Sequence, residues 1–173
     1  MTAATDGAQR YDVLIVGGGP AGLSAAEAAA KAGARVAVLE RRNEIGYPVH
    51  TSGGSWISDM RAIGIPADLY YPIRTVTFLS PKRSMQFDYD DPVCCVLDVR
   101  GVYQHLAGRA ITAGAEVHPN SPVESPIIED GRVVGVVAKD HRNRAGEWRA
   151  DVVIDASGFS STLVTRAGLR RGF

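Results

Sequence analysis

The sequence predicts an α/β fold: a parallel sheet carrying helices, an antiparallel β-meander attached to it, and a partial second β layer. Three observations predict this. The apolar run Val13 to Val16 enters a glycine-rich turn and an alanine-rich stretch, and a second apolar run, Val36 to Leu39, follows at once. The segment Ala113-Gly114-Ala115-Glu116-Val117 repeats the earlier Ala32-Gly33-Ala34-Arg35-Val36, so two helices end on glycine and pass directly into strands. Further along, three β-rich runs are separated only by polar turns.

Taken in order, residues 1–10 read as a loose polar tail and residues 11–173 as one domain, with part of a substrate layer at about 72–96. Val13 to Val16 has the length and β-branching of a buried parallel strand. Pro20 to Lys31 should be helical, with Leu23, Ala26 and Ala30 on one stripe and Gly33 as its stop. From Arg41 to Pro72 the glycines and prolines mark loop, short helix and turn. Ile73 to Leu79 and Ser84 to Tyr89 alternate about Ser80-Pro81-Lys82-Arg83, which reads as a hairpin in a separate layer. Asp98 should cap a helix running to about Ala113, with Val102, Leu106, Ala110 and Ala113 on its apolar face. The meander strands are Val123 to Ile128, Val133 to Ala138 and Trp148 to Ile154, the first two joined by the tight turn Asp130-Gly131.

Bulk properties exclude several classes. Of 173 residues, 45% are hydrophobic and 22% charged, as in an ordinary globular protein, and 19 basic residues balance 19 acidic ones, so no nucleic-acid partner is expected. No run approaches the length of a transmembrane segment and no signal peptide is evident, which suggests a cytoplasmic setting. The neighbouring Cys94 and Cys95 lie in an apolar run and read as buried thiols, and no residue cluster suggests a metal site.

The chemistry concentrates in Gly17-Gly18-Gly19-Pro20-Ala21-Gly22 and in Glu40, eighteen positions beyond Gly22. Strand, glycine turn, helix and acid at this spacing form a dinucleotide-binding fingerprint in a Rossmann-like parallel sheet. Gly17 turns the chain, Gly19 admits a pyrophosphate, and Gly22 lets the helix pack on the strand. The helix N-terminus offers unpaired N–H groups to the phosphates, and Glu40 accepts from a ribose. A second loop, Asp155-Ala156-Ser157-Gly158, closes another apolar strand before a short helix. By itself it reads as a capped strand–helix turn at least as readily as a loop that meets a phosphate or a flavin edge.

Together these motifs, with Ile45-Gly46-Tyr47-Pro48-Val49 and Asp98-Val99-Arg100, resemble the two-dinucleotide-fold flavoproteins over about residues 10–170. The nearest group is the geranylgeranyl reductase family, followed by para-hydroxybenzoate hydroxylase-type monooxygenases and flavin halogenases. The resemblance implies that the dinucleotide is FAD. It places Gly17 to Gly22 at the pyrophosphate, Glu40 at the adenosine ribose and Arg41 beside the adenine end. Arg100 would reach toward the pyrophosphate or the flavin, the backbone near Val123 would lie along the adenine, and Asp155 and Gly158 would serve the second loop. It also implies NAD(P)H as electron donor and a small-molecule or lipid-like substrate in the intact relative. The chain differs from the family in having His50-Thr51 where reductases have Arg or Gln and then Cys, and Ser157 where an Asp commonly precedes the glycine. Family members continue well beyond a position matching Phe173, through a Gly-Asp motif for the ribityl chain. The isolated chain is therefore expected to be an N-terminal portion without turnover and prone to self-association.

No catalytic residue stands out. His50 is the one titratable group expected near the flavin, and a loop histidine is more often simply solvated. The other readings are an NAD(P)-dependent dehydrogenase, in which Arg41-Arg42 would bind a 2′-phosphate that Glu40 repels, and an inactive truncated remnant.

Overall fold

The computed structural model describes residues 9–140 and 142–169; residues 1–8, most of the expected tail, lie outside it. In chain order the strands are β1 (Gln9–Val16), β2 (Val36–Leu39), β3 (Gly54–Trp56), β4 (Tyr70–Ile73), β5 (Thr75–Ser80), β6 (Arg83–Asp88), β7 (Cys94–Leu97), β8 (Glu116–His118), β9 (Val123–Glu129), β10 (Arg132–Lys139) and β11 (Ala145–Asp155). The helices are α1 (Pro20–Lys31), α2 (Ile57–Ala62), α3 (Val99–Thr112) and α4 (Thr162–Arg166). The chain divides into two compact units, residues 1–47 with 106–173, and residues 48–105.

The first unit is built on a six-stranded sheet in the order β8-β2-β1-β11-β10-β9. Its first four strands are parallel, and β10 and β9 continue it antiparallel. β11 serves both parts: Ala145 to Arg149 pairs with β10, and the strand runs parallel to β1 as far as Asp155. That double use makes it longer than the expected Trp148 to Ile154. One face buries Ile15, Val36 and Val38 against Ala26 and Ala30 of α1 and Ala110 beyond. These small side chains let the helix backbones approach the sheet closely. The opposite face gathers Leu14, Val16 and Leu39 with Val136, Ala138, Trp148 and Leu163.

Both helix exits close the same way. The Ala34 N–H reaches the Ala29 carbonyl and the Gly33 N–H the Ala30 carbonyl, while Ala115 and Gly114 repeat these bonds to Ala110 and Ile111. Gly33 and Gly114 hold φ of 88° and 106°, the left-handed turn of a Schellman cap. An ion-pair cluster invisible to local patterning links the helices: buried Glu27 accepts from Lys31 at 2.6 Å and from Arg109 at 2.8 Å. The Lys31 hydrogen bond, with that of Arg109, outweighs the opposing effect of burial and holds the Glu27 carboxyl below its usual range. The Asp130-Gly131 turn has positive φ at both residues, 48° and 74°, as a two-residue hairpin requires.

The second unit holds a three-stranded sheet, β3-β7-β4, and the separate hairpin β5–β6. The expected single strand Ile73 to Leu79 is broken at Arg74, because Ile73 still pairs with Cys94 while Thr75 begins a ladder with Asp88. Asp98 caps α3 as expected, accepting the Gly101 N–H at 3.0 Å. A Cβ at Gly101 would press on Asp98 Oδ2 and on Leu69, so a larger residue there would make those side chains shift. Both cysteines are free thiols; Cys95 is buried, which raises its pKa, and Cys94 is half-buried. Among the described residues no helix is long and apolar enough to cross a membrane, and no side-chain cluster could hold a metal ion.

Candidate functional site

The site is assembled by strand register. Val16 ends β1 between Leu39 of β2 and Asp155 of β11, so the Gly17–Gly22, Glu40 and Asp155–Gly158 segments leave neighbouring strands at one level. This is the C-terminal edge of the parallel strands, where open α/β sheets bind their ligands. The chain runs from β1 to β2 on one side and returns to β11 on the other, so the edge beside β1 is where the strand order reverses. Leu39 and His118 are also level, and the Glu40 N–H donates to the His118 carbonyl while the Ser121 N–H donates to that of Glu40. The segment leading to Val123 is thereby laid against Glu40 and Arg42, and the Asn120 N–H closes on the Arg42 carbonyl at 2.6 Å. The Val123 side chain packs on the core.

The glycines of the first loop have distinct duties. Gly17 has φ of 111°, and a Cβ there would strike the Ala156 carbonyl, so the first and second loops touch backbone to backbone. The Ala156 N–H also donates to the Val16 carbonyl at 2.8 Å. At Gly18 a Cβ would meet Ile45 Cδ1 at 2.6 Å, and at Gly22 it would collide with the Gly17 carbonyl. Gly19 is different. Its backbone is extended (φ −81°, ψ 178°), and a Cβ would meet nothing within 4 Å. Neither conformation nor packing calls for glycine there. Gly19 is also the cap residue of α1 and brings no side-chain cap to the first-turn N–H groups, and that turn carries no acid. Pro20 at the first helical position has no N–H to satisfy. An extended backbone without Cβ, leading into a helix N-terminus without a side-chain cap, fits a pyrophosphate.

The two carboxylates are more committed than their sequence context indicates. Glu40 Oε2 accepts the Gly18 N–H at 2.7 Å and Oε1 the Arg42 N–H at 2.8 Å, so the acid read as a ribose acceptor also fastens the glycine loop. Each carboxylate oxygen has a further lone pair, so the acceptor role stays available. Asp155 Oδ1 accepts the Ser157 N–H at 3.0 Å, and Oδ2 accepts those of Leu163 and Val164 at 3.0 and 2.9 Å. Burial pushes its pKa up, but hydrogen bonds from Ser157, Val164 and Leu163 more than offset this and hold the carboxyl below its ordinary value. Its visible work is to cap the segment that begins α4. Gly158, with φ of 72°, turns that segment.

Gly17, Gly18, Gly19, Pro20, Ala21, Gly22, Glu40, Arg41, Val123, Asp155 and Gly158 all belong to the first unit, and Arg41 is exposed beside Glu40. Arg100, on the first turn of α3, and the exposed His50 belong to the second. Sequence reading missed the Ala156 carbonyl as the wall behind Gly17 and Ile45 as the packing partner of Gly18.

Comparisons with known proteins bear on the family and the fold. The family model described as FAD dependent oxidoreductase matches residues 12–171. A digeranylgeranylglycerophospholipid reductase of Thermoplasma volcanium is 37% identical over 170 residues, covering 94% of this chain and 43% of that protein. The chain thus spans less than half the length of the curated relatives it matches. The crystal structure of a geranylgeranyl bacteriochlorophyll reductase-like protein from Thermoplasma acidophilum superposes with a TM-score of 0.85 and 34% identity, over 95% of this chain and 43% of that one. A myxobacterial chondrochloren halogenase, 22% identical, has a TM-score of 0.71 over 91% of this chain and 39% of its own, a likeness of fold alone. The fingerprint, the strand-end geometry and the family match converge: this chain belongs to the FAD dependent oxidoreductase family and is similar to an N-terminal portion of geranylgeranyl reductase-like proteins.

Proposed function

We propose that the chain forms the dinucleotide-holding part of a flavin-dependent reductase that acts on an unsaturated, lipid-like substrate with NAD(P)H as electron donor. The observation that carries this reading is Gly19, a glycine that neither backbone angle nor packing explains. FAD, when bound, supplies the hydride chemistry; the protein's residues bind and orient it. The backbone from Gly17 to Gly22 faces the pyrophosphate, and the α1 N-terminus supplies N–H groups and positive potential to it. Glu40 accepts from the adenosine ribose while its bonds to Gly18 and Arg42 keep the loop in register. Arg41 and the backbone at Val123 flank the adenine end. Asp155 is a positioning residue: it shapes the loop whose Ala156 carbonyl backs Gly17, and Gly158 gives that loop its turn. No nucleic acid is involved, and the setting is cytoplasmic.

The test is to purify the chain, denature it and identify what it releases, then titrate apoprotein with FAD. The expected ligand is FAD; a nicotinamide dinucleotide, or no FAD binding at all, would overturn the reading. Glu40→Gln removes a charge-assisted pair of about 1.5–3 kcal/mol and should weaken FAD binding about tenfold or more. Equal affinity would remove Glu40 from the site.

A further inference from the structure

The hairpin β5–β6 is amphipathic in an unusual way. Val76, Phe78, Met85 and Phe87 share one face by register, and Phe78 and Phe87 make an edge-on ring contact 6.0 Å apart. Thr75, Thr77, Gln86 and Asp88 share the other, where Thr75 and Gln86 both donate to Asp88. Near the turn this division ends. Leu79 lies on the polar side and is 79% exposed, while Phe78 and Met85 on the apolar side are 62% and 59% exposed. A protein partner stacked on the apolar face would leave Leu79 in water. A medium that surrounds the tip covers all three.

Charge follows the same axis. The tip, Phe78-Leu79-Ser80-Pro81-Lys82-Arg83-Ser84-Met85, holds two cations and no acid. Among the described residues neither Lys82 nor Arg83 has an ion-pair partner. The acids Asp88, Asp90 and Asp91 stand at the opposite end, Asp88 about 17 Å along the strand from Arg83. Arg74 ties that base by donating to the Asp90 carbonyl at 2.7 Å.

We propose that the β5–β6 tip docks on an anionic lipid surface, with Phe78, Leu79 and Met85 entering the headgroup–acyl boundary and Lys82 and Arg83 at the phosphates. Two residues of strand on either side of the turn reach roughly 5–10 Å, the depth of interfacial insertion, and the acids stay outside. No membrane-spanning element is needed, and the docking does not depend on FAD.

The experiment is co-sedimentation of the 173-residue chain with phosphatidylcholine vesicles, with and without phosphatidylglycerol, at low and high salt. Binding should require the anionic lipid and fall with salt. Lys82→Glu with Arg83→Glu should weaken it about tenfold or more, and Phe78→Ser with Leu79→Ser should do so comparably, the circular dichroism spectrum staying unchanged in both. Because the two variants alter charge and apolarity separately, a folding defect in one leaves the other decisive. Wild-type-like binding by either folded variant, equal binding to neutral vesicles, or a concentration-dependent dimer that the Phe78/Leu79 variant abolishes without vesicle binding by the wild type would each overturn the proposal.

Discussion

The loops that leave β1 and β11 touch one another at the same sheet edge, yet they use their polar groups in opposite directions. The Asp155 loop turns inward: its carboxylate accepts three N–H groups from Ser157, Leu163 and Val164 of its own segment. The Gly17–Gly22 loop is held from outside, by Glu40 on Gly18 and by the Ala156 carbonyl behind Gly17, and α1 begins without a side-chain cap. The first arrangement is complete without a ligand. The second contains a glycine, Gly19, that neither backbone angle nor packing requires. The Asp155 loop is thus held by its own carboxylate, and the Gly17–Gly22 loop by Glu40 and Ala156, with the pyrophosphate contact proposed for the second.

The sharpest way to break this comparison is at the point of contact. Gly17→Val must place a β-branched residue at φ of 111° and drive its Cβ into the Ala156 carbonyl. A loss of about 3 kcal/mol or more is expected, read as a large fall in thermal midpoint with FAD binding lost alongside. A variant that melts like the wild type would mean that the two loops do not constrain each other.

Asp155→Ala should have a smaller effect, about 1–3 kcal/mol, because three N–H groups lose their acceptor at a partly solvated site. The pH dependence adds a check. The folded carboxyl titrates below its unfolded value of 3.8, so its contribution is present above that value and is lost as pH falls through the lower folded pKa. The stability gap between wild type and Asp155→Ala should shrink in that acidic range and stay constant near neutrality. A gap that widens on acidification would mean that Asp155 is not the stabilised carboxylate.

Sequence legibility follows the range of the cause. Gly33 and Gly114 announce their helix exits because a left-handed cap is decided within a few residues, and Asp98 announces α3 for the same reason. Ile73 to Leu79 reads as one strand because alternation reports faces and not partners, and only the change of partner from β7 to β6 breaks it at Arg74. The hairpin's exposed tip was equally hidden, since a period of two cannot say whether a face is covered. At the site, residue types pointed to the glycine loop and to Glu40. The Glu40–Gly18 bond joins residues 22 apart in sequence, and the packing of Gly17 on Ala156 joins far more distant ones, so neither leaves a local pattern. For Asp155 the sequence favours a ligand role no more than a capped turn, and its carboxylate is engaged by N–H groups up to nine residues away, which leave no local pattern.

FAD titration of Gly19→Val, followed by flavin fluorescence beside a thermal melt, tests the central claim most directly. With open space around its Cβ and an extended backbone, the variant should fold and melt like the wild type. Its FAD affinity should fall about a hundredfold or more, because the side chain occupies the approach to the pyrophosphate. An unchanged affinity would contradict the account, and so would a collapse of the fold, which would show that the protein itself required the glycine.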